Sequence, residues 1–245
     1  MADRPDFNEY AVWSNNSQSR GGQKPTVFLI HTNEGDTNAD QLAHWMQGDV
    51  GVSYHYCVSE DYNDHGVTVC DVVDTDHAAW SVGNANNISI NLCFAGSKAA
   101  WSRADWLKQS RAIDVAAYIA VQDAKKYGFS TIVVPPPYSA GKPGISDHKW
   151  VTQVYGWGTH TDVGDGFPWD VFTAAVAKYA NPGTQPPVVP PTPAPAFQHP
   201  SNDQMLKDVW DQLRGPEGKG WPQLGQDAQG HNLTVVDALA KLLGK

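Results

Sequence analysis

The chain has no run approaching the roughly 18 consecutive apolar residues that a membrane-spanning helix requires, so membrane insertion is not expected. Cationic side chains are few, 17 Lys and Arg against 26 Asp and Glu, for a net charge of −9. Phosphate binding needs clustered Lys and Arg, and no basic run offsets the acidic balance, which argues against a nucleic-acid partner. Cysteine is scarce and odd in number: Cys57, Cys70 and Cys93. Cys57 and Cys93 lie in strand-like apolar runs, where a thiol behaves as a small hydrophobe. A disulfide framework is therefore not expected, which fits synthesis in a reducing cytoplasm. Residues 1–6, MADRPD, lack the basic start and apolar core of a secretory signal. A protein of this kind that acts outside the membrane needs another factor to release it.

Against these absences stand 10 Trp and 22 Gly among 245 residues, the composition of a globular chain with many turns and large aromatic anchors. The length suits one sizeable domain of mixed structure plus a smaller appendage. Residues 181–198, NPGTQPPVVPPTPAPAFQ, hold seven prolines, a density that gives extended, semi-rigid chain without a core. They divide the sequence into a domain over 1–180, a linker over 181–198 and a small element over 199–245.

Within the first domain, Thr26–Ile30 reads as a buried strand ending at His31. Residues 38–47 read as a helix with Leu42, Trp45 and Met46 on one face. Val52, Tyr54, Tyr56 and Val58 alternate with Ser53, His55 and Cys57, the period of a strand over 52–59. Further strands are expected over 67–73, 88–95 and 131–134. Ser102 and Asp105 form a capping box at the start of a long helix, which turns Trp106, Ile113, Ala117, Ala120 and Val121 inward and stops at Gly128. Phe167-Pro168-Trp169 opens a last helix burying Phe172, Ala175, Val176 and Tyr179. Strands interleaved with helices predict an α/β fold, a mixed central sheet flanked by helices. The C-terminal element reads as two amphipathic helices. One, over 202–214, buries Met205, Leu206, Val209, Trp210 and Leu213. The other starts at Thr234, with Asp237 completing a capping box, and buries Val235, Val236, Leu239, Leu242 and Leu243. Such an element has a marginal core of its own.

His31, His148 and Asp162 are the residues with chemistry to offer. Two imidazoles and a carboxylate are ligands that a catalytic zinc site uses, with a fourth position left for water. Each alone has an ordinary reading: a hydrogen-bonded histidine at a strand end or in a loop, and a turn aspartate before Gly164. Glu34 stands as either a base or a solvated loop carboxylate. His160, two residues from Asp162, stands as an alternative ligand to His148.

Five stretches, in order, resemble one family. They are Phe28-Leu29-Ile30-His31-Thr32, Val52-Ser53-Tyr54-His55-Tyr56, Asn87-Ile88-Ser89-Ile90-Asn91-Leu92, Asp147-His148, and Thr159-His160-Thr161-Asp162-Val163-Gly164 followed by Phe167-Pro168-Trp169. Together they resemble the zinc-dependent N-acetylmuramoyl-L-alanine amidases of the peptidoglycan-recognition-protein fold, particularly those of phage endolysins. The resemblance spans about residues 26–170. It implies zinc ligands at His31, His148 and Asp162, a catalytic basic residue at His160 where many members have Lys, and a catalytic tyrosine at Tyr54. Another branch carries a glutamate at the position of Cys93, so this chain resembles the tyrosine branch. His77 aligns with a histidine that flanks the cleft in phage relatives. His77 stands equally as a residue that supports the metal ligands or one that contacts substrate, and Trp80 and Asn87 are expected to contact substrate, with loop packing as the alternative.

The resemblance implies an endolysin that binds Zn2+ and hydrolyses the amide between N-acetylmuramic acid and L-alanine of bacterial peptidoglycan, for host lysis. It would wait in the host cytoplasm until released to the wall. A histidine at position 160 titrates near neutrality, so activity is expected to fall at alkaline pH. The alternatives are a recognition domain that binds without cleaving and a metallo-amidase for a different wall amide. In the C-terminal element, Trp210–Pro216 and Gly220–Gly225 resemble terminal segments of lysins from phages of actinobacteria. For that element, wall attachment and homo-oligomer formation through residues 199–245 both stay open.

Overall fold

Strand β3 (Val27–Thr32) is buried along its whole length, and period-2 alternation splits its side chains between two layers. A computed structural model describes residues 3–138, 144–181 and 202–243. All of the expected linker except Asn181 lies outside them. The chain divides into two units, Met1–Pro187 and Val188–Lys245.

In the first unit six strands form one mixed sheet. Its edge strand β1 (Asn8–Ala11) pairs in parallel with β5 (Val67–Asp71), which runs antiparallel to β4 (Tyr56–Glu60). Strand β7 (Ser89–Phe94) joins β4 to β3, and β8 (Ile145–Asp147) closes the other edge, all in parallel. A short antiparallel pair, β2 (Ser17–Ser19) and β6 (His77–Ala79), lies apart from this sheet.

One layer takes Phe28 and Ile30 of β3 with Ile90, Leu92 and Phe94 of β7. They pack against Trp106 of α2 (Arg103–Leu107), Ile113 and Ala117 of α3 (Ser110–Tyr127), and Phe172 and Val176 of α5 (Trp169–Ala180). Each fully buried large side chain there contributes roughly 1.5–3 kcal/mol. The alternate residues face the other way. Val27 and Leu29 pack with Trp150 and Val151 of α4 (His148–Tyr155). Cys57 and Cys93 pack with Leu42, Ala43 and Met46 around α1 (Ala39–Trp45). His31, odd-numbered like Val27 and Leu29, therefore falls on the face opposite α3 and α5. That parity decides where the site forms.

Several expectations need correction. Trp45 is 54% exposed; the buried stripe of α1 is Ala39, Leu42 and Ala43, followed by Met46. Residues 52–55 precede β4, and at Ser53 the bonds leave the sheet: its amide donates to the Trp80 carbonyl and its hydroxyl to the Asn16 carbonyl. The strand expected over 131–134 is reduced to a single bridge, Val133 with Ile145. The Ser102–Asp105 capping box is present, but it starts the five-residue α2, and the long helix begins afresh at Ser110.

The second unit holds α6 (Asn202–Arg214) and α7 (Val235–Leu242), the latter capped by Thr234 and Asp237 as expected. Their apolar side chains were expected to be buried, yet Leu206, Val209, Trp210 and Leu213 are 45–69% exposed and Val236, Leu239, Leu242 and Leu243 are 53–82% exposed. Two short helices enclose too little volume to cover both stripes. The side chain of Met205 lies outside the described residues.

Candidate metal centre

Three elements bring the donors together. His31 is the penultimate residue of β3. His148 is the first residue of α4, directly after β8, where Asp147 caps the helix by accepting from the Trp150 amide at 2.9 Å. Asp162 sits in the loop after α4, held by its carbonyl, which accepts from the Lys149 amide at 3.0 Å. Further along, Gly164 has φ +90°, and a Cβ there would stand 1.9 Å from the Ala99 carbonyl. Only glycine fits that close approach.

The result is a buried group in which one ligand atom from each of His31, His148 and Asp162 lies within 4.8 Å of the others. His31 Nδ1 is 3.1 Å and His148 Nδ1 3.6 Å from the same oxygen, Asp162 Oδ2. Burial pushes His148 down to about 4, so its imidazole is neutral near pH 7 and has a lone pair to offer. Burial opposes ionisation of Asp162, but contacts with His148 and His31 outweigh it and hold the carboxyl well below the usual carboxylate range. Two nitrogens and an anionic oxygen converging at this separation fit a zinc ion in chemistry and number.

Around this group lie two clefts. One, of about 460 Å³, is lined by Thr32, Glu34, Val52, Tyr54, Ala99 and Thr159–Asp162 among others. The second, of about 390 Å³, runs past Val82–Asn84 and Gly156–Gly158. They share Ser81, His148 and His160. His160 stacks on His148 at 3.8 Å between ring centroids, with its side chain 57% exposed and Nδ1 3.6 Å from Asp162 Oδ1. The Tyr54 ring lies 5.0 Å from that of His31. Burial, with Cys93 and Asp162 adding to it, raises Tyr54 well above its ordinary value, so the phenol stays protonated. Glu34 Oε1 accepts from the Thr32 hydroxyl at 2.6 Å and the Ala99 amide at 2.7 Å, which ties the loop after β3 to the cleft wall.

Thus His31, His148, Asp162, Tyr54 and His160 come together. His77, Trp80 and Asn87 are not among the described residues that line either cleft. His77 is exposed and its carbonyl accepts from His55 Nε2 at 3.1 Å. Asn87 Oδ1 accepts from Gln18 at 2.8 Å. Asn91, which meets His31 Nε2 at 3.0 Å, was not foreseen. Its signal was an amide inside a strand that is otherwise apolar after Ser89. Ser81 and Asn84 were also missed; Ser81 lies in a bend and Asn84 in a short 3-10 turn over Gly83–Ile88, where no periodic pattern marks them.

Known proteins match along both units. A family model described as N-acetylmuramoyl-L-alanine amidase matches residues 21–165, and one described as Rv3766 C-terminal domain matches residues 197–245. The crystal structure of the Staphylococcus aureus hydrolase AmiA in complex with its ligand is 17% identical, with a TM-score of 0.56 over 72% of this chain and 84% of that one. That likeness shows the fold. The amidase LysC of Clostridium intestinale is 14% identical, with a TM-score of 0.48 over 69% of this chain and 96% of its own. Among curated proteins, the uncharacterized protein Rv3766 of Mycobacterium tuberculosis is 66% identical over 35 residues. That match spans 14% of this chain and 13% of the relative's length.

Proposed function

The chain belongs to the N-acetylmuramoyl-L-alanine amidase family, whose substrate is peptidoglycan, and from that premise we propose a zinc-dependent endolysin that separates N-acetylmuramic acid from L-alanine. The observation that carries the zinc reading is the convergence of His31, His148 and Asp162, of which His148 lines both clefts and Asp162 one. A zinc ion bound there supplies Lewis acidity and a water whose pKa is lowered to about 7.

The chain's own residues divide the remaining work. Water adds to the lactyl carbonyl carbon, the C–N bond breaks, and the alanine nitrogen leaves with a proton. His160, exposed at the junction of the clefts, donates a hydrogen bond to the carbonyl oxygen as charge develops and delivers the proton to the amine. Tyr54, kept protonated by burial, is a second donor in the same cleft and does not act as a base. The two clefts offer room for the sugar on one side of the reacting bond and the peptide stem on the other.

Purified protein is expected to carry about one zinc per chain and to release new alanine amino termini from wall. H31A and D162A should lose both. H160A should keep zinc while kcat falls by about 10²–10⁴. Chelator-resistant cleavage would refute the zinc reading, and wall binding without new amino termini would identify a recognition domain instead. The 35-residue likeness to a Mycobacterium tuberculosis protein supports an actinobacterial wall as target. The three unpaired buried thiols suit a stay in a reducing cytoplasm before release. Expressed alone in a host, the chain should leave cells intact until the membrane is permeabilised; lysis on expression alone would refute that localisation.

A further inference from the structure

Strand β7 carries a polar pair that the reaction does not use. Ser89 and Asn91 are both fully buried, on the same face as Cys93 and toward β3. A buried carboxamide costs stability unless its groups are paired, and each of these bonds has a fixed direction. The Ser89 hydroxyl donates to the Ala85 carbonyl at 2.9 Å, which commits its one proton. Its oxygen is then left to accept, and Asn91 Nδ2 donates to it at 2.9 Å. The amide is thereby oriented, with Oδ1 turned to His31 Nε2 at 3.0 Å. A carboxamide oxygen only accepts, so Nε2 carries a proton and Nδ1 is the nitrogen left for Asp162 or a metal. Nδ1 is the atom that faces Asp162 Oδ2 at 3.1 Å.

The backbone of Asn91 is clamped as well. Its amide donates to His55 Nδ1 at 2.9 Å, and its carbonyl accepts from the His55 amide at 2.9 Å. We propose that Asn91, oriented by Ser89, is the positioning residue that selects the tautomer and ring rotation of His31 and so presets Nδ1 for metal capture. This rests on the zinc reading. Partners of this kind on a ligating histidine are worth about 10–100-fold in metal affinity.

The test uses the full chain, stripped of metal. Nitrogen-15 NMR of histidine-labelled wild type should show a proton on His31 Nε2; a neutral ring with its proton on Nδ1 and none on Nε2 would overturn the proposal without any variant. Zinc affinity is then read by competition with a chromophoric chelator. Asn91→Leu should bind about 10–100-fold more weakly, Asn91→Asp should restore most of the loss, and Ser89→Ala should fall between. The visible spectrum of the cobalt-loaded protein should change in Asn91→Leu and Ser89→Ala. Apo-protein melting temperatures check folding, and if Asn91→Leu does not fold, Ser89→Ala and Asn91→Asp decide. Wild type that takes up no zinc would defeat the zinc reading. Wild type and all variants binding equally would defeat the positioning role alone.

Discussion

Asp123 lies on the buried side of α3, 4% exposed, with Oδ1 accepting from the Tyr56 hydroxyl at 3.3 Å and Oδ2 without a hydrogen-bond partner. Burial pushes its carboxyl up to about 7, against Tyr56, Lys126 and Arg20, which pull it down, and with Asp71, which adds to the rise. The folded-state value stands above the ordinary carboxyl value of 3.8, so the folded state keeps a proton that the unfolded chain loses. Stability from this group is therefore lost as pH rises between about 4 and 7, and stays lost above. Asp123→Asn removes the penalty. Urea unfolding should find the variant more stable than wild type by about 1–3 kcal/mol at pH 8 and nearly equal to it near pH 4. The same gap at both pH values would refute the assignment. Asp123 shows how residue-scale reading runs out. Helical spacing marked Ile113, Ala117, Ala120 and Val121 as inward, but an aspartate among them reads as solvent-facing. His31, His148 and Asp162 were legible because motifs flank them. Asn91 has its role only through Ser89 and Ala85, and no motif encodes that chain of bonds.

At the scale of elements, local signals located helices better than they located helix starts. Asn38 and Gln41 form a capping box on α1, and Gly128 ends α3 with φ +75°. The start of α3 had no local sign, because its cap comes from β4. Glu60 is buried at the end of that strand, and its Oε2 accepts from the Arg111 amide at 2.8 Å and the Ala112 amide at 3.2 Å. Its own amide donates to Gln109 Oε1 at 3.1 Å. A carboxylate on the first free N–H groups of a helix also meets the positive end of the helix dipole. The capping box at Ser102 therefore marks α2 alone, and the break at 108–109 allows α3 to present its N-terminus to Glu60. Glu60→Ala should cost about 1.5–3 kcal/mol, since the bonds it removes are to a charged group. Ser102→Ala, at an exposed cap, should cost about 1 kcal/mol. Thermal melts of the two variants check the order, and a larger loss at Ser102 would contradict it.

For the molecule as a whole, strand parity carried most of the fold. Buried runs in β3 and β7 announced a central sheet, and the sheet with helices on both faces follows from which side each alternate residue takes. The second unit did not follow the same logic, because its stripes were read correctly as apolar and wrongly as covered. Eight Leu, Val and Trp side chains of α6 and α7 remain 45–82% exposed. A second copy of the chain is the expected occupant of this surface. Residues 199–245 contain six acidic and five basic side chains, so the unit neither repels a copy of itself strongly nor draws in an anionic wall polymer. A stable interface takes about 800 Å² from each partner; Trp210 alone can supply about 150–250 Å², and with seven Leu and Val side chains beside it the surface is of the right order. Sedimentation equilibrium of the full chain should show a concentration-dependent dimer. Trp210→Glu combined with Leu239→Glu should leave a monomer whose turnover of a soluble muropeptide is unchanged. A chain that stays monomeric at every concentration, or that pellets with purified wall as a monomer through these same residues, would refute self-association, and the second result would make the wall the occupant.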